Sequence, residues 1–276
     1  MVSVVSDLAF DAKGVAAEFV KARRSAGSFT NYPGTPPPDL DSAYRCQDEA
    51  IALWDDTVAG WKVGWIPEPL SQKFGEHRLV GPIFGRSVQR SNGGAPVEVP
   101  IFARGFAAIE AEFVFQLSKD APANVADWTA ETARRFVRTM FVGIEIASSP
   151  LANINDYGPA VIASDFGNNA GLLLGAEVTD WQTRSLESLN CESRIDGAVV
   201  GRGNAAAVSG GPLAALAFAL RCNARRGRPL RAGEFVSTGA ATGVHSIAAG
   251  QAAEAVFTGI GNLRCIAVPM TPVAMR

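Results

Sequence analysis

From Gly60 onward the chain is broken into short apolar runs with Gly and Pro between them: GWKVGWI, RLVGPIFG, VEVPIF, AAIEAEFVFQL, FVGIEIA, GLLLGAEV, EFVSTGA, AEAVFTG and NLRCIAV. Runs of this length, rich in Val, Ile and Phe and bounded by turn formers, read as strands. Two helical patterns interrupt them, one near Thr129 to Met140 and one from Pro212 to about Arg225, the second with Pro at its first position and Gly227 past its end. The order is not a regular β-α-β alternation, which argues against Rossmann and TIM architectures. The expected class is α+β with a curled, mostly antiparallel sheet, and Asp196-Gly197 in SRIDGAVV predicts a type I′ hairpin. Ahead of Gly60, Ala12, Val15, Phe19 and Ala22 mark a helix capped by Asp11 and stopped at Gly27. After the proline-stiffened loop NYPGTPPPD, Ala43, Gln47, Ile51 and Trp54 mark a second helix from about Asp41 to Val58. Residues 1–59 are therefore expected to form a helical subdomain ahead of a β-rich catalytic domain, 60–276.

Charge narrows the partners. With 25 basic and 27 acidic side chains, a net charge of −2 and no run of one sign, the chain lacks the basic footprint that nucleic acid or an anionic membrane would need. A small-molecule partner is expected. No window reaches the length of a membrane span, and MVSVVSDLAFDAKG carries no basic leader. Cys46, Cys191, Cys222 and Cys265 lack C-x-x-C spacing, which fits independent thiols in a reducing compartment; a soluble cytoplasmic protein is expected.

The chemistry begins with carboxylates. In AAIEAEFVFQL, alternation puts Ile109, Ala111, Phe113, Phe115 and Leu117 on one strand face and Glu110, Glu112, Val114 and Gln116 on the other. Two carboxylates about 7 Å apart repel unless a cation lies between them. A solvated strand face would also carry such a pair. FVGIEIA adds Glu145, the one charged residue on a face otherwise made of Phe141, Gly143 and Ala147, and a lone Glu there is costly unless paired. Three carboxylates without clustered His or Cys suit a hard divalent cation, magnesium or manganese. The competing expectation is an ion pair from Glu145 to Arg134, Arg135 or Arg138. Lys62 shares a strand face with Gly64, so it is either reachable by a ligand, where its charge would steady an enolate or a carboxylate, or a snorkelling edge-strand lysine.

GWKVGW, then LSQKFG, IEAEFVF, IEIASS, IASDFGNNAGLLLG and GGPLAALAFALRCNARRGRPLRAGEFVSTGAATG, in this order over roughly residues 40–268, resemble the 2-oxopent-4-enoate hydratase and 4-oxalocrotonate decarboxylase group of the fumarylacetoacetate hydrolase superfamily. The resemblance implies a mixed, curled β-roll or sandwich core and a homo-oligomer. It implies a divalent metal, magnesium or manganese, on Glu110, Glu112 and Glu145, with Lys62 as the active-site lysine and Asp165 and Thr242 near the substrate. The implied activity is that of a lyase of the 2-keto-4-pentenoate hydratase type, in which chelation of a small 2-oxo or 2-hydroxy-dienoic acid stabilises an enolate. Decarboxylation of a 4-oxalocrotonate-like acid is the alternative, beside hydrolysis of an acylpyruvate with His77, next to Glu76, as base, and a non-catalytic role in a complex. Three departures from the group stand out. Leu79 occupies the place of a water-activating acid, and Ala107-Ala108 and Ser149-Pro150 stand where the group carries Pro-Arg and Ser-Arg, so that Arg78 or Arg104 would have to compensate. His245 follows the substrate loop as a hydrogen-bonder or a contact.

Overall fold

The computed structural model describes residues 10–91 and 94–273; the opening residues read above as free of a leader lie outside this range. In chain order the helices are α1 (Ala12–Arg24), α2 (Leu40–Leu53), α3 (Leu70–Phe74), α4 (Ala130–Arg134), α5 (Ile154–Tyr157), α6 (Pro159–Ser164) and α7 (Pro212–Arg225). The strands are β1 (Val58–Trp65), β2 (Arg78–Phe84), β3 (Val88–Arg90), β4 (Val97–Ile101), β5 (Phe106–Leu117), β6 (Val137–Ser149) and β7 (Asn169–Glu177). They continue with β8 (Asn190–Ile195), β9 (Ala198–Asn204), β10 (Phe235–Ala240), β11 (His245–Ser246), β12 (Ala252–Phe257) and β13 (Gly261–Pro269). No described helix is long and apolar enough to cross a membrane.

The strands form two sheets. One has the order β2-β1-β10-β5-β6-β7-β3, with β11 added beside β5, and the other the order β4-β13-β12-β8-β9. Pairing is mixed: β1 with β10, β3 with β7 and β4 with β13 run parallel, and the other neighbours antiparallel. The α+β class with a mixed, curled sheet is thus the fold of this chain. Asp11 caps α1 by accepting from the Gly14 amide at 3.0 Å, and the apolar stripes of α1 and α2 join the main core with Phe113, Ile144 and Phe257. At the β8–β9 hairpin both Asp196 (φ 49°) and Gly197 (φ 81°) are left-handed, as a type I′ turn requires. The four cysteines are free and buried.

Two helix boundaries differ from expectation. α2 ends at Leu53, because Trp54 turns extended and packs against Phe84 and Phe166, and Val58 is taken up by pairing with Phe84. The helix near Thr129 closes at Arg134, and from Val137 the chain becomes β6, paired with Leu117 and onward along β5. Strand pairing over the length of β5 outweighs a local helical preference.

Candidate metal centre and cleft

β5 and β6 set the register on which the site depends. Glu110 lies directly opposite Glu145, and Glu112 opposite Gly143. Like charges facing each other across a ladder are destabilising. All three carboxylates are buried, and their ligand atoms lie within 4.8 Å of one another. Each outer acid spends one oxygen on the protein. Glu112 Oε2 accepts from Ser237 Oγ at 2.5 Å and from the Gly239 amide at 2.8 Å, while Glu145 Oε1 accepts from Asn169 Nδ2 at 3.0 Å. The other oxygens, Glu112 Oε1 and Glu145 Oε2, are buried and have no hydrogen-bond partner among the described residues. Bare carboxylate oxygens away from water are expensive, and a hard cation satisfies both at once, so the residues present fit a divalent ion.

β10 is shaped for this. Its pairing with β5 slips between Ser237 and Ala240, and the irregularity turns the Gly239 amide, at φ 110°, onto Glu112 instead of into the ladder. The sheet's curl supplies the remaining partner. Lys62 sits on β1, three strands from β6, which in a flat sheet would separate two parallel side chains by about 14 Å. Its Nζ is nevertheless 3.3 Å from Glu145 Oε1 and 3.4 Å from Asn168 Oδ1, so the sheet folds the one over the other. Lys62 is 4% exposed. The expected alternative partners of Glu145 are elsewhere: Arg134 donates to Gln182 O and Arg135 to Glu131.

Electrostatics follow from burial. Burial alone would lower the Lys62 pKa, but the charges of Glu145, Glu110 and Glu112 outweigh it and hold the group above the ordinary lysine value. Burial, reinforced by Glu145, pushes Glu110 up to about 7, and burial with both other acids drives Glu112 well above the carboxylate range. One ammonium among three acids leaves the cluster short of positive charge.

A cleft of about 470 Å³ adjoins this centre, and its lining includes Lys62, Glu110 and Asn168 as well as Trp65, Arg78 and Val244. Leu79, 3% exposed, is part of its wall. Among the described lining residues Glu110 is the sole carboxylate.

The other sequence candidates lie outside that lining. Asp165 is buried, accepting from Arg23 Nε and Ser149 Oγ, each at 2.6 Å. Thr242 Oγ1 is 2.7 Å from Ser193 Oγ, and its carbonyl lies 3.0 Å from His245 Nε2. His77 is exposed and stacked on Trp65, while Glu76 pairs with Arg221 at 2.8 Å and Arg225 at 3.7 Å. Arg104 is exposed.

Four participants escaped the sequence reading: Asn168, Asn169, Ser237 and Arg23. Arg23, on α1, lies between the Phe102 and Phe166 rings, pairs with Asp165 and donates to Asn169 O at 3.0 Å, so it braces the residue that orients Glu145. The doublet Asn168-Asn169 after Gly167 was the available signal. Phe166, Gly167 and Asn168 all have positive φ, and a Cβ on Gly81 would meet Phe166 O at 2.1 Å, so this turn is pressed onto β2.

Fold and site together define a curled mixed-sheet protein with a buried carboxylate centre able to hold a divalent cation. Residues 79–267 match the family model for the fumarylacetoacetate (FAA) hydrolase C-terminal domain, and the chain belongs to that family. A 2-keto-4-pentenoate hydratase of Paraburkholderia xenovorans (strain LB400) is 27% identical over 234 residues, 83% of this chain and 84% of that protein. A 4-oxalocrotonate decarboxylase of a Pseudomonas species is 29% identical over 157 residues, 56% of this chain and 58% of that one. Among solved structures, 4-oxalocrotonate decarboxylase from Pseudomonas putida G7, complexed with magnesium and adipate, has the same fold, with a TM-score of 0.76 at 19% identity over 93% of this chain and 97% of that one.

Proposed function

We propose that this chain is a divalent-metal-dependent lyase of the 2-keto-4-pentenoate hydratase type, acting on a small 2-oxo or 2-hydroxy-dienoic acid. The observation that carries the reading is the convergence of the two partnerless buried oxygens of Glu112 and Glu145 with Glu110 beside Lys62. The hydratase relative, matched over most of both chains, supports it. Glu110, Glu112 and Glu145 would hold magnesium or manganese, which when bound supplies Lewis-acid charge against the substrate's 2-oxo oxygen. Lys62 keeps its ammonium, fixed by Asn168, beside the place where enolate charge grows, and a charge already in position needs no reorganisation as the reaction proceeds. Leu79 and the rings of Trp65 and Phe106 give the cleft apolar walls around the substrate's carbon chain. Asp165 acts through Arg23 as a brace, and Thr242 and His77 act outside the first contacts of the substrate. We also place the protein in the cytoplasm, on its four free thiols, and read it as a homo-oligomer.

A second reading, decarboxylation of a 4-oxalocrotonate-like acid, is favoured by one feature of the cleft: Glu110 apart, its described lining offers no carboxylate to activate water, and Leu79 fills the place where the hydratases' acid was expected. Loss of carbon dioxide needs the enolate stabiliser and no water base. Hydrolysis with His77 has less support, since Glu76 is engaged by Arg221 and His77 by the Trp65 ring.

The test is to give the protein, with Mg²⁺ or Mn²⁺ and then with chelator, 2-hydroxypenta-2,4-dienoate and 4-oxalocrotonate in turn. Metal-dependent hydration of the first supports the hydratase reading, and carbon dioxide release from the second supports the alternative. Both readings require exchange of C3 protons of a simple 2-oxo acid into deuterated water. Lys62→Met should slow that exchange by about 10²–10³. Absence of exchange with metal bound would leave the non-catalytic role in a complex.

A further inference from the structure

We propose that a second cavity, behind the turn that carries Asn168 and Asn169, is a regulatory site for a neutral aromatic hydroxyl compound whose binding tightens the metal centre; the coupling rests on reading Glu110, Glu112 and Glu145 as that centre. The cavity holds about 290 Å³, the lower end of small-ligand pockets, and shares no described lining residue with the cleft. It lies where the β7–β3 edge of the first sheet meets β4 of the second. Residues 270–273 close it: the Met270 amide donates to Ile101 O and the Val273 amide to Arg24 O, each at 2.8 Å, and Thr271 between them is part of the wall.

The lining defines the ligand. Trp54, Phe84 and Phe166 form a cluster of rings with centroids 4.9 to 5.9 Å apart, which offers edge and face contacts to one more ring. The charged lining residues are already matched, Arg23 by Asp165 at 2.6 Å and Arg86 by Asp55 at 3.6 Å and Asp56 at 4.0 Å. An ion would leave water for a place without an unmatched charge, which is costly, so the ligand is neutral. Gln89 supplies the polar contact: its Nε2 donates to Glu98 O at 3.1 Å, and its amide oxygen can accept from a ligand hydroxyl.

The link to the metal centre is a single turn. Asn168 lines the cleft and holds Lys62 at 3.4 Å, whereas Asn169 lines the second cavity and holds Glu145 at 3.0 Å. Adjacent residues thus serve two cavities. Phe166, the first residue of the turn, also lines the second one. A ligand packed there fixes Phe166 and Asn169 in the arrangement that orients Glu145. It then favours the ion by the same factor by which the ion favours the ligand.

Binding and coupling are measured separately. Metal-free protein is titrated calorimetrically at neutral pH with 2-naphthol and with 2-naphthoate, which share the rings and differ in charge. One 2-naphthol per chain is expected, bound at least about tenfold more tightly than 2-naphthoate. Saturating 2-naphthol should then raise Mn²⁺ affinity, followed by electron paramagnetic resonance, by at least about fivefold. Ala170→Leu, which fills the cavity from β7, should abolish both effects and leave Mn²⁺ affinity without 2-naphthol within about twofold of wild type. Gln89→Leu, a milder change, should bring 2-naphthol down to the affinity of naphthalene. Absence of saturable binding, equal binding of 2-naphthoate, or binding that persists in Ala170→Leu would each overturn the proposal, the last by placing the ligand elsewhere. Binding of 2-naphthol with Mn²⁺ affinity unchanged would overturn the coupling while leaving the metal centre standing. If Mn²⁺ does not bind with or without 2-naphthol, the metal-centre reading fails and the coupling with it.

Discussion

Glu112 and Glu145 each hold one oxygen on a protein donor and present the other bare, and that asymmetry distinguishes a cation site from a structural ion pair. Glu145→Gln retains the shape and an oxygen that can still accept from Asn169, but loses the charge that binds the ion. We expect Mn²⁺ affinity, followed by electron paramagnetic resonance, to fall by more than about 100-fold with the fold unchanged. An unaltered titration would refute the three-carboxylate centre. Arg23 presents the opposite case, a buried cation whose loss strands Asp165. Arg23→Met should lower unfolding free energy by about 3–5 kcal/mol in urea titrations, and a change below about 1 kcal/mol would show that Asp165 finds other support. Strand alternation put Glu110 and Glu112 on one face of β5 and left Glu145 alone on a face of β6; the β5–β6 register is what brings the three together. Asn169 and Arg23 gave no such signal, because a residue on a turn or the end of an amphipathic helix acquires its role only from what packs against it.

At the scale of elements, the site depends on three local irregularities: the slip in β10, the left-handed turn at 166–168, and the close approach of that turn to β2. A methyl group on Gly81 has no room beside Phe166 O, so Gly81→Ala must push the turn off β2 and draw Asn168 away from Lys62. The expected cost is about 1–3 kcal/mol of stability, together with weaker exchange activity. Unchanged melting and activity would mean that β2 yields instead. The sequence marked these places only as glycines and an asparagine doublet. Likewise, the start of α4 could be read from Thr129, but its early end could not, since the partner that claims Val137 is Leu117, far away in sequence.

For the whole molecule, apolar surface remains to be covered. Val199 and Val200 on the edge strand β9 are 40% and 41% exposed, and Trp65 and Val244 at the cleft are 50% and 55% exposed. An exposed apolar edge invites pairing with another chain. Light scattering at micromolar concentration should therefore give at least a dimer mass, and Val199→Lys with Val200→Lys should shift it toward monomer. A monomer mass for the wild type would contradict the homo-oligomer.

The sequence alone determined the class of the fold, the hairpin at Asp196-Gly197, the two faces of β5 and the candidate carboxylates, because periodicity and turn chemistry are properties of neighbouring residues. Tertiary structure decided which charges meet. Lys62 reaches Glu145 only because the sheet curls across three strands, and Arg78 meets the Ser209 carbonyl only because of where β2 and the Ser209 segment come together. Contacts between residues far apart in the chain depend on curvature, register and close packing over the whole sheet, and no local pattern of amino acids encodes those.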